Sequence, residues 1–286
     1  MRYLDASALK LLYCHRLFHL KVIEGWKEKE PFNDVIAGSA IHRFCRERHY
    51  KGNTQAALEA SMWFAEQKVQ VRKPFLDLGY INKACLTISN SETPYRVINY
   101  GTESALVEQS FKVPLSPDWT FVGTIDELAE TQNANDLVFN DFKTTGQGYD
   151  GRTKKLVLNS FGRSIQFLSY FWAVKKHREV FPESALAKRN FLGGVVTAVF
   201  LNKESIEVDT SGLITFSQSQ LDWFEEELFK LLKSIPEDNP TGLFSNQCVS
   251  GRNYPCEMLE YCKHEKGKDF LKANFHQEEY KPLDWY

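Results

Sequence analysis

The sequence contains no apolar run long enough to cross a membrane. Its longest apolar stretch, residues 193–201, falls well short of the roughly 20 residues that a membrane-spanning helix needs. The charged residues Arg2, Asp5, Lys10 and Arg16 interrupt the apolar core that a signal peptide would require. We therefore expect a soluble, cytoplasmic protein with no membrane partner.

The sequence also lacks an excess of charge of either sign. Its 35 Lys and Arg residues oppose 37 Asp and Glu residues, which leaves a formal net charge of -2. The net charge of the whole chain therefore does not attract polyanions, and any surface that binds nucleic acid must be a local positive patch. With 43% hydrophobic and 25% charged residues over 286 positions, the composition is that of a folded protein of one large domain or two smaller ones.

Internal repeats, low-complexity segments and a phosphate-binding loop are missing too. No G-x-x-x-x-G-K-[ST] motif occurs, so the chain has no visible helicase motor. Cysteine is scarce, with 6 residues in all, and a disulfide framework is disfavoured in a chain without a secretory signal. Cys45 and Cys85 lie in apolar helical patterns, which places them in the predicted core.

Hydrophobic periodicity predicts a helical first part and a strand-rich middle. Apolar residues spaced three and four apart predict helices over residues 9–23, 38–50, 54–73 and a further segment ending near residue 89. Thr54 is the predicted N-cap of the third helix. Alternating or continuous apolar residues predict strands over residues 104–113, 121–129 and 137–143 and a hairpin over 193–201 and 206–208. Glycines 146, 148 and 151 mark a loop, and the last two predicted helices cover residues 161–180 and 217–235.

These elements predict an α/β protein in which helices precede a run of antiparallel strands and a further helix packs back on them. We divide it into a helical part over residues 1–95, a sheet-bearing core over 96–235 and a cysteine-bearing tail over 236–286. The tail is expected to pack back on the N-terminus, so that the three parts form one integrated domain.

The strongest chemical pattern consists of Asp126, Asp141 and Lys143. Because side chains alternate along a strand, Asp141 and Lys143 share one face about 7 Å apart, while Phe142 points into the core and leaves its carbonyl near Asp141. If Asp126 lies on the neighbouring strand, two carboxylates and this carbonyl form the oxygen-rich corner that Mg²⁺ or Mn²⁺ requires. Alternatively, both acids lie near strand ends and Lys143 only pairs with one of them.

Five elements, in order along the chain, resemble the PD-(D/E)XK nuclease superfamily and its RecB-like branch, which includes CRISPR-associated exonucleases. Asp126 followed by Asp141-Phe-Lys143 fits the core motif. Gly38-Ser-Ala-Ile-His42 resembles the glycine-to-histidine helix motif of that branch, Glu108 the acid of the first core strand, and Gln166-Phe-Leu-Ser-Tyr170 the Q-x-x-x-Y helix. The resemblance implies a restriction-endonuclease-like mixed sheet flanked by helices, with the nuclease core in residues 96–235.

The resemblance also implies roles for single residues. It assigns catalysis to Asp126, Asp141, Lys143 and Glu108. It assigns metal binding to His42, Asp126, Asp141 and the carbonyl of Phe142. Each residue has an ordinary structural alternative: His42 can lie at the edge of a helix stripe, and Glu108 can be a solvent-facing acid on a strand.

A local excess of positive charge follows the acidic pattern. Residues 144–178 contain seven Lys or Arg and only one acid, Asp150. Neutralising backbone phosphates supplies much of the affinity of proteins for DNA. Gln166 and Tyr170 are four residues apart on one helical face, and we expect that stripe to face DNA rather than the core. The predicted DNA-binding residues are Arg152, Lys154, Lys155, Arg163, Gln166 and Tyr170.

Cys14, Cys248, Cys256 and Cys262 form a second pattern. Four thiolates can hold an iron-sulfur cluster or zinc, and the gaps of seven and five residues exceed those of an ordinary zinc knuckle. Many RecB-like nucleases carry a [4Fe-4S] cluster on one N-terminal and three C-terminal cysteines, so the resemblance implies such a cluster here. Familiar members often have two residues where this chain has seven before Cys256. Zinc and unligated thiols stay open as alternatives.

Taken together, the resemblance implies a metal-dependent deoxyribonuclease. It favours an exonuclease that acts on single strands or DNA ends in recombination or repair, with a separate helicase or recombinase as partner. Two alternatives stay open: a non-catalytic DNA-binding or assembly subunit with the same fold, and a structure-selective endonuclease.

Overall fold

The structure is a computed structural model. It describes residues 2–12, 14–28, 33–69, 78–91, 95–102, 105–133, 135–145, 151–184, 187–201, 205–235, 258, 261–262 and 268–282.

The described chain contains short strands and helices near its ends and longer ones between them. The strands are β1 (Arg2–Leu4), β2 (Trp26–Glu28), β3 (Arg96–Val97), β4 (Val107–Pro114), β5 (Trp119–Glu130), β6 (Asp136–Thr145), β7 (Asn190–Leu201), β8 (Ile206–Thr210) and β9 (Phe275–Gln277). The helices are α1 (Ala6–Leu11), α2 (His15–Phe18) with a π-helical turn (His19–Ile23), α3 (Asn33–Lys51), α4 (Thr54–Val69), α5 (Leu78–Asn90), α6 (Gly151–Gly162), α7 (Ile165–Val180), α8 (Gln218–Ser234) and α9 (Lys268–Asn274). None of the helices in these described ranges is long and apolar enough to span a bilayer.

The chain divides into two compact units. The first unit comprises Met1–Pro31, Pro114–Gly123 and Glu225–Tyr286, and the second comprises Phe32–Val113 and Thr124–Phe224. In the first unit, β1 runs parallel to the start of β5 and β2 pairs with β9 in antiparallel fashion. Its hydrophobic cluster is formed by Leu17, Leu20, Trp26, Met258, Tyr261, Leu271 and Phe275.

The second unit is built on a mixed sheet. Strands β3 and β4 pair with β5, and the order continues β5-β6-β7-β8. The β5/β6 and β7/β8 pairs are antiparallel, whereas β6 and β7 are parallel over ten residues that begin at Asp136 and Asn190. The mixed α/β class implied by the resemblance is confirmed. The expectation of a purely antiparallel run is wrong, because α6 and α7 form the long crossover that a parallel pair requires.

Helices cover both faces of this sheet. On one face, a buried cluster joins α3, α4 and α5 to the sheet through residues such as Ile41, Phe44, Ile81, Phe142 and Val199. On the other face, Phe139 packs against α7, with ring centroids 4.9 Å from Phe167 and 5.1 Å from Phe171. Alternation along β6 therefore separates an α3 side from an α7 side.

Several helix boundaries differ from those predicted. The segment 161–180 is not one helix, because Ser164 lies between α6 and α7 and its Oγ accepts a hydrogen bond from the Phe167 amide at 3.3 Å. Gly151, expected in a loop, begins α6. Asn53 rather than Thr54 caps α4, since its Oδ1 accepts from the amides of Gln55 and Ala56 at 2.9 and 3.2 Å. Residues 9–23 form two short helices and a π-helical turn in place of one helix.

Gly194 allows β7 to approach the aromatic cluster. A Cβ atom at this position would lie 2.5 Å from Phe139 Cζ and 2.9 Å from Phe167 Cε1, and both rings are fully buried. We expect Gly194→Ala to lower the free energy of unfolding by about 1–3 kcal/mol, as overpacking does elsewhere. Chemical denaturation measures this change. Gly212→Ala is the control, because nothing lies within 4 Å of its Cβ position; equal stability of the two variants would contradict the packing described here.

Candidate active site

Asp126 connects the two central strands of the second unit. It lies on β5, and its Oδ2 accepts a hydrogen bond of 2.7 Å from the amide of Phe142 on β6. The pairing of Glu127 with Asn140 shows that β5 and β6 are antiparallel neighbours at this point. The sequence-based condition for the acidic corner, that Asp126 lies beside the strand of Asp141, is therefore met.

Asp141 and Lys143 form a close ion pair on one face of β6. Lys143 Nζ lies 2.6 Å from Asp141 Oδ2, and Asp141 has no exposed surface. Phe142 points the other way into the α3 side of the core, as predicted. Burial opposes the ammonium form of Lys143, but the carboxylates of Asp141 and Asp126 outweigh this effect and raise the pKa of Lys143. Lys143 is therefore a fixed positive charge at the site.

A histidine and two acids from three different elements converge beside this pair. Ligand atoms of His42 on α3, Glu108 on β4 and Asp126 on β5 all lie within 4.8 Å of one another. His42 Nδ1 is 3.6 Å from Asp126 Oδ2. Glu108 has a φ of 51°, a left-handed conformation that costs about 1–3 kcal/mol in a residue other than glycine and persists only where the surroundings fix it.

Burial shifts the pKa values of all three groups towards their neutral forms. Desolvation, with repulsion from Asp126, raises the pKa of Glu108 to about 8. Desolvation also raises the pKa of Asp126 to about 6, although Lys143 and the Phe142 amide oppose this effect. Burial and Lys143 lower the pKa of His42 to about 4. The site thus holds two acids that need a proton or a cation, next to a neutral imidazole.

These residues fit a divalent cation. Glu108 Oε2 is buried and has no hydrogen-bond partner among the described residues, so an oxygen that a cation could use is left over. Two carboxylates and an imidazole are ligands that Mn²⁺ and Mg²⁺ accept. Glu108, predicted as a catalytic acid, joins two of the predicted metal ligands in this group. Asp141 contacts Lys143, and metal binding by Asp141 and by the Phe142 carbonyl stays a prediction. The Phe142 backbone is close, since it hydrogen-bonds with both Asp126 and His42.

Gln166 and Tyr170 lie beside Asp141 on α7. Gln166 Nε2 is 2.8 Å from the Tyr170 hydroxyl and 3.5 Å from Asp141 Oδ1. Tyr170 is only 5% exposed, and its ring packs edge-on against Phe139 and Phe111. The expectation that this stripe has no role in the core is therefore wrong, because Tyr170 fills space between the sheet and α7. Contact of these two residues with DNA stays a prediction.

The predicted cationic residues occupy different environments. Lys154 pairs with Glu207 and lies over the Phe200 ring, with its side chain only 14% exposed. Lys155 and Arg163 are exposed. The side chain of Arg152 lies outside the described residues. Of the described cations in this group, Lys155 and Arg163 are therefore the ones presented to solvent.

A buried polar chain on the opposite face of the sheet was missed by sequence reasoning. Asn140 Nδ2 donates to Glu127 Oε2 at 2.9 Å, and Asn140 Oδ1 accepts from Thr197 Oγ1 at 2.9 Å. His49 Nε2 contacts Glu127 Oε1. Glu127 directly follows Asp126, and Asn140 directly precedes Asp141. These hydrogen-bonded polar residues therefore link the two strands that carry the acids. The sequence signal that could have revealed these residues is the presence of an acidic and an amide side chain inside otherwise apolar strand segments.

The cysteines fall into two groups. Cys45 and Cys85 are buried in the cluster of α3 to α5, which confirms their predicted place in the core. Cys14 and Cys262 are half-buried and pack against the hydrophobic cluster of the first unit. Cys248 and Cys256 lie outside the described residues. The four cysteines described by the structure form no disulfide.

Comparison with known proteins places this geometry in a family. A solved structure from Eubacterium rectale, whose protein is provisionally designated an exonuclease, is similar over 93% of this chain and 89% of that chain, with a TM-score of 0.53 and 11% identity. At that identity the likeness shows the fold alone. A second, the protein SSO0001, has a TM-score of 0.26 at 13% identity over 81% of this chain and 88% of that chain, which is too low to carry weight. No curated protein matches the chain.

The family model decides the assignment. The model of the PD-(D/E)XK nuclease superfamily matches residues 6–264, a span that includes every residue of the acidic site. The fold, with its mixed sheet between helices, agrees with that match. The chain belongs to the PD-(D/E)XK nuclease superfamily.

Proposed function

We propose that this protein is a metal-dependent DNA nuclease of the RecB-like branch, and that it acts as an exonuclease on single strands or DNA ends in recombination or repair. The observation that carries the proposal is the convergence of His42, Glu108 and Asp126 beside the Asp141–Lys143 pair. A binding subunit without catalysis has no need to bury so many acids around one lysine. The exonuclease designation of the Eubacterium rectale protein supports the choice of an exonuclease over an endonuclease.

His42, Glu108 and Asp126 would hold Mg²⁺ or Mn²⁺, with Asp141 and the Phe142 carbonyl close by. A divalent cation in such a site polarises the scissile phosphate and lowers the pKa of water. The imidazole of His42 is available for this purpose, because its lowered pKa keeps the ring neutral at physiological pH. The nitrogen ligand makes Mn²⁺ at least as suitable as Mg²⁺.

Lys143 would stabilise the negative charge that develops on the phosphate oxygens. Its side chain is 24% exposed, so the ammonium group can reach a substrate, and its raised pKa keeps it charged. Asp141 orients Lys143, and Gln166 contacts Asp141 from the other side. Fixed charges of this kind stabilise a transition state without having to reorganise during the reaction.

The exposed cations near the start and end of α6 would contact the DNA backbone. Lys155 and Arg163 are the described candidates, and each phosphate contact adds to a salt-dependent affinity. We also propose that a separate helicase or recombinase acts as its partner at DNA ends.

Removal of the central charges should abolish cleavage and spare binding. We expect Asp126→Ala, Asp141→Ala and Lys143→Ala each to lower the cleavage rate by about 100-fold or more, the loss typical of removing one preorganised charge-stabilising group. The assay follows labelled linear and circular single-stranded DNA with Mn²⁺, Mg²⁺ or chelator, and DNA binding is measured in parallel. Lys188→Ala is the matched control, because this lysine is 61% exposed and, among the described residues, its ion pair is with the solvent-exposed Glu183.

The same assay separates the alternatives. An exonuclease degrades linear DNA and spares circles, a structure-selective endonuclease cuts circles that carry its preferred structure, and a binding subunit leaves both intact. Cleavage by Lys143→Ala at the unmodified rate would remove the proposed mechanism.

The shifted carboxyl pKa values make the effect of a cation depend on pH. Between the unfolded pKa values near 4 and the folded values of about 6 for Asp126 and about 8 for Glu108, the folded metal-free protein binds more protons than the unfolded chain. Its stability therefore falls as the pH rises through this range. A cation replaces these protons, so Mn²⁺ should raise the melting temperature more above about pH 8 than at about pH 5.

Glu108→Gln tests this prediction, because it removes one titrating carboxyl group and keeps the shape of the side chain. We expect the pH dependence of the Mn²⁺ effect to shrink in this variant. Glu183→Gln, at a side chain that is 88% exposed, should leave the dependence unchanged. An Mn²⁺ effect of equal size at both pH values would contradict the proposed ligands.

We also propose a structural [4Fe-4S] cluster bound by Cys14, Cys248, Cys256 and Cys262. Cys14 and Cys262 pack against the same hydrophobic cluster of the first unit, which supports a shared ligand sphere. A bond between residues so distant in sequence restricts the unfolded chain strongly, so the cluster would stabilise the fold.

Purification without oxygen tests the cluster. The wild type should be coloured and contain iron, whereas Cys256→Ser should be colourless and poorly soluble. Cys85→Ala, in the helical core of the second unit, should keep its iron. Colourless wild-type protein without iron would refute the cluster, and a zinc content near one per chain would favour the alternative metal.

A further inference from the structure

The second unit contains a cavity behind the acidic site. Its volume is about 270 Å³, and Asn140 and Phe142 form part of its lining. Because side chains alternate along β6, these two residues point away from the face of Asp141 and Lys143. The lining contains none of the acids that converge with His42. The cavity is therefore separate from the candidate active site, although the same strands form one wall of both.

Two side chains of the lining, Arg48 and His49, present hydrogen-bond donors. The two terminal nitrogens of Arg48 lie 3.4 Å from the Ile88 carbonyl and 3.3 Å from the Ser89 carbonyl, near the end of α5. These contacts hold the guanidinium group in place. Arg48 Nε and His49 Nδ1 are buried and have no hydrogen-bond partner among the described residues. Buried polar atoms in native proteins are nearly always paired, so these two atoms point to a ligand or to bound water.

The carboxylate in the lining contacts two neighbouring side chains, although its Oε1 accepts no hydrogen bond among the described residues. Glu127 is the one acidic residue among the described lining residues. Its Oε2 accepts from Asn140 Nδ2 at 2.9 Å, and its Oε1 contacts His49 Nε2. Arg96, on β3, adds a second guanidinium group at an exposed position. The described lining thus offers two guanidinium groups and two buried nitrogen atoms that lack a partner among the described residues, while its one carboxylate contacts Asn140 and His49.

We propose that this cavity binds a phosphate group, carried by a small phosphate monoester or present as the free ion. Guanidinium groups recognise phosphate oxygens through paired, charge-assisted hydrogen bonds, and two of them balance a dianion. The volume of about 270 Å³ lies just below the roughly 300 Å³ at which typical small-molecule sites begin. A volume of this size suits a mononucleotide or a smaller phosphate better than a longer oligonucleotide. His49 and Tyr100, which pack edge-on with 5.4 Å between their ring centroids, are the lining residues that would contact an organic group.

The proposal does not depend on the nuclease activity and is tested without it. Calorimetry in the presence of excess chelator would measure the binding of deoxyadenosine monophosphate, deoxyribose 5-phosphate, inorganic phosphate and deoxyadenosine without phosphate. We expect saturable binding of the phosphate-bearing probes and none of deoxyadenosine. A preference for the nucleotide would identify a mononucleotide as the source of the phosphate, and equal binding of inorganic phosphate would identify the free ion; both outcomes support the site.

Variants separate this cavity from the active site. Arg96→Gln should weaken binding by about 10-fold or more, a loss in the range reported for charge-assisted hydrogen bonds. Lys143→Ala should leave binding within about 2-fold, and so should the surface control Lys188→Ala. Arg48→Gln should weaken binding further, but this variant also removes the contacts to α5, so the conclusion rests on Arg96→Gln. Absence of binding to every phosphate probe would overturn the proposal, and so would binding that Lys143→Ala abolishes and Arg96→Gln preserves.

Discussion

The hydrogen bond from the Phe142 amide to Asp126 holds the site together. It places a buried carboxylate of β5 against the backbone of β6, one residue from Asp141 and one from Lys143. A strand register that slipped by one residue would turn these side chains to the opposite face. The buried pair of Glu127 and Asn140 fixes the same register from the other side of the sheet. The acids can therefore meet only in this alignment of the two strands.

Charge balance explains why the site is built around one lysine. Buried carboxylates are costly unless a cation or a proton compensates them. Lys143 compensates Asp141 directly, while Glu108 and Asp126 keep raised pKa values in the metal-free protein. The fold thus buries two carboxyl groups whose negative charge a bound divalent cation would compensate.

Packing on both faces of β6 gives each face its own use. On the α7 side, the aromatic cluster around Phe139 supports Asp141, with Gln166 and Tyr170 filling the space next to it. On the α3 side, Phe142 enters the apolar cluster and Asn140 enters the polar chain. One helix, α3, carries His42 to the acids and His49 to Glu127 two turns later. The same helix therefore supplies one histidine to the acidic group and another to the buried polar residues around Glu127.

The sequence by itself determined the class of the fold, the strand that carries Asp141 and Lys143, and the separation of Phe142 from them, because strand alternation is a local property. The meeting of His42, Glu108 and Asp126 was suggested only by resemblance. The sequence also did not predict three further features: the break between helices at Ser164, the parallel pairing of β6 with β7, and the burial of Tyr170. Tertiary structure decided these features, since they depend on how separate elements pack across distances that no local periodicity records.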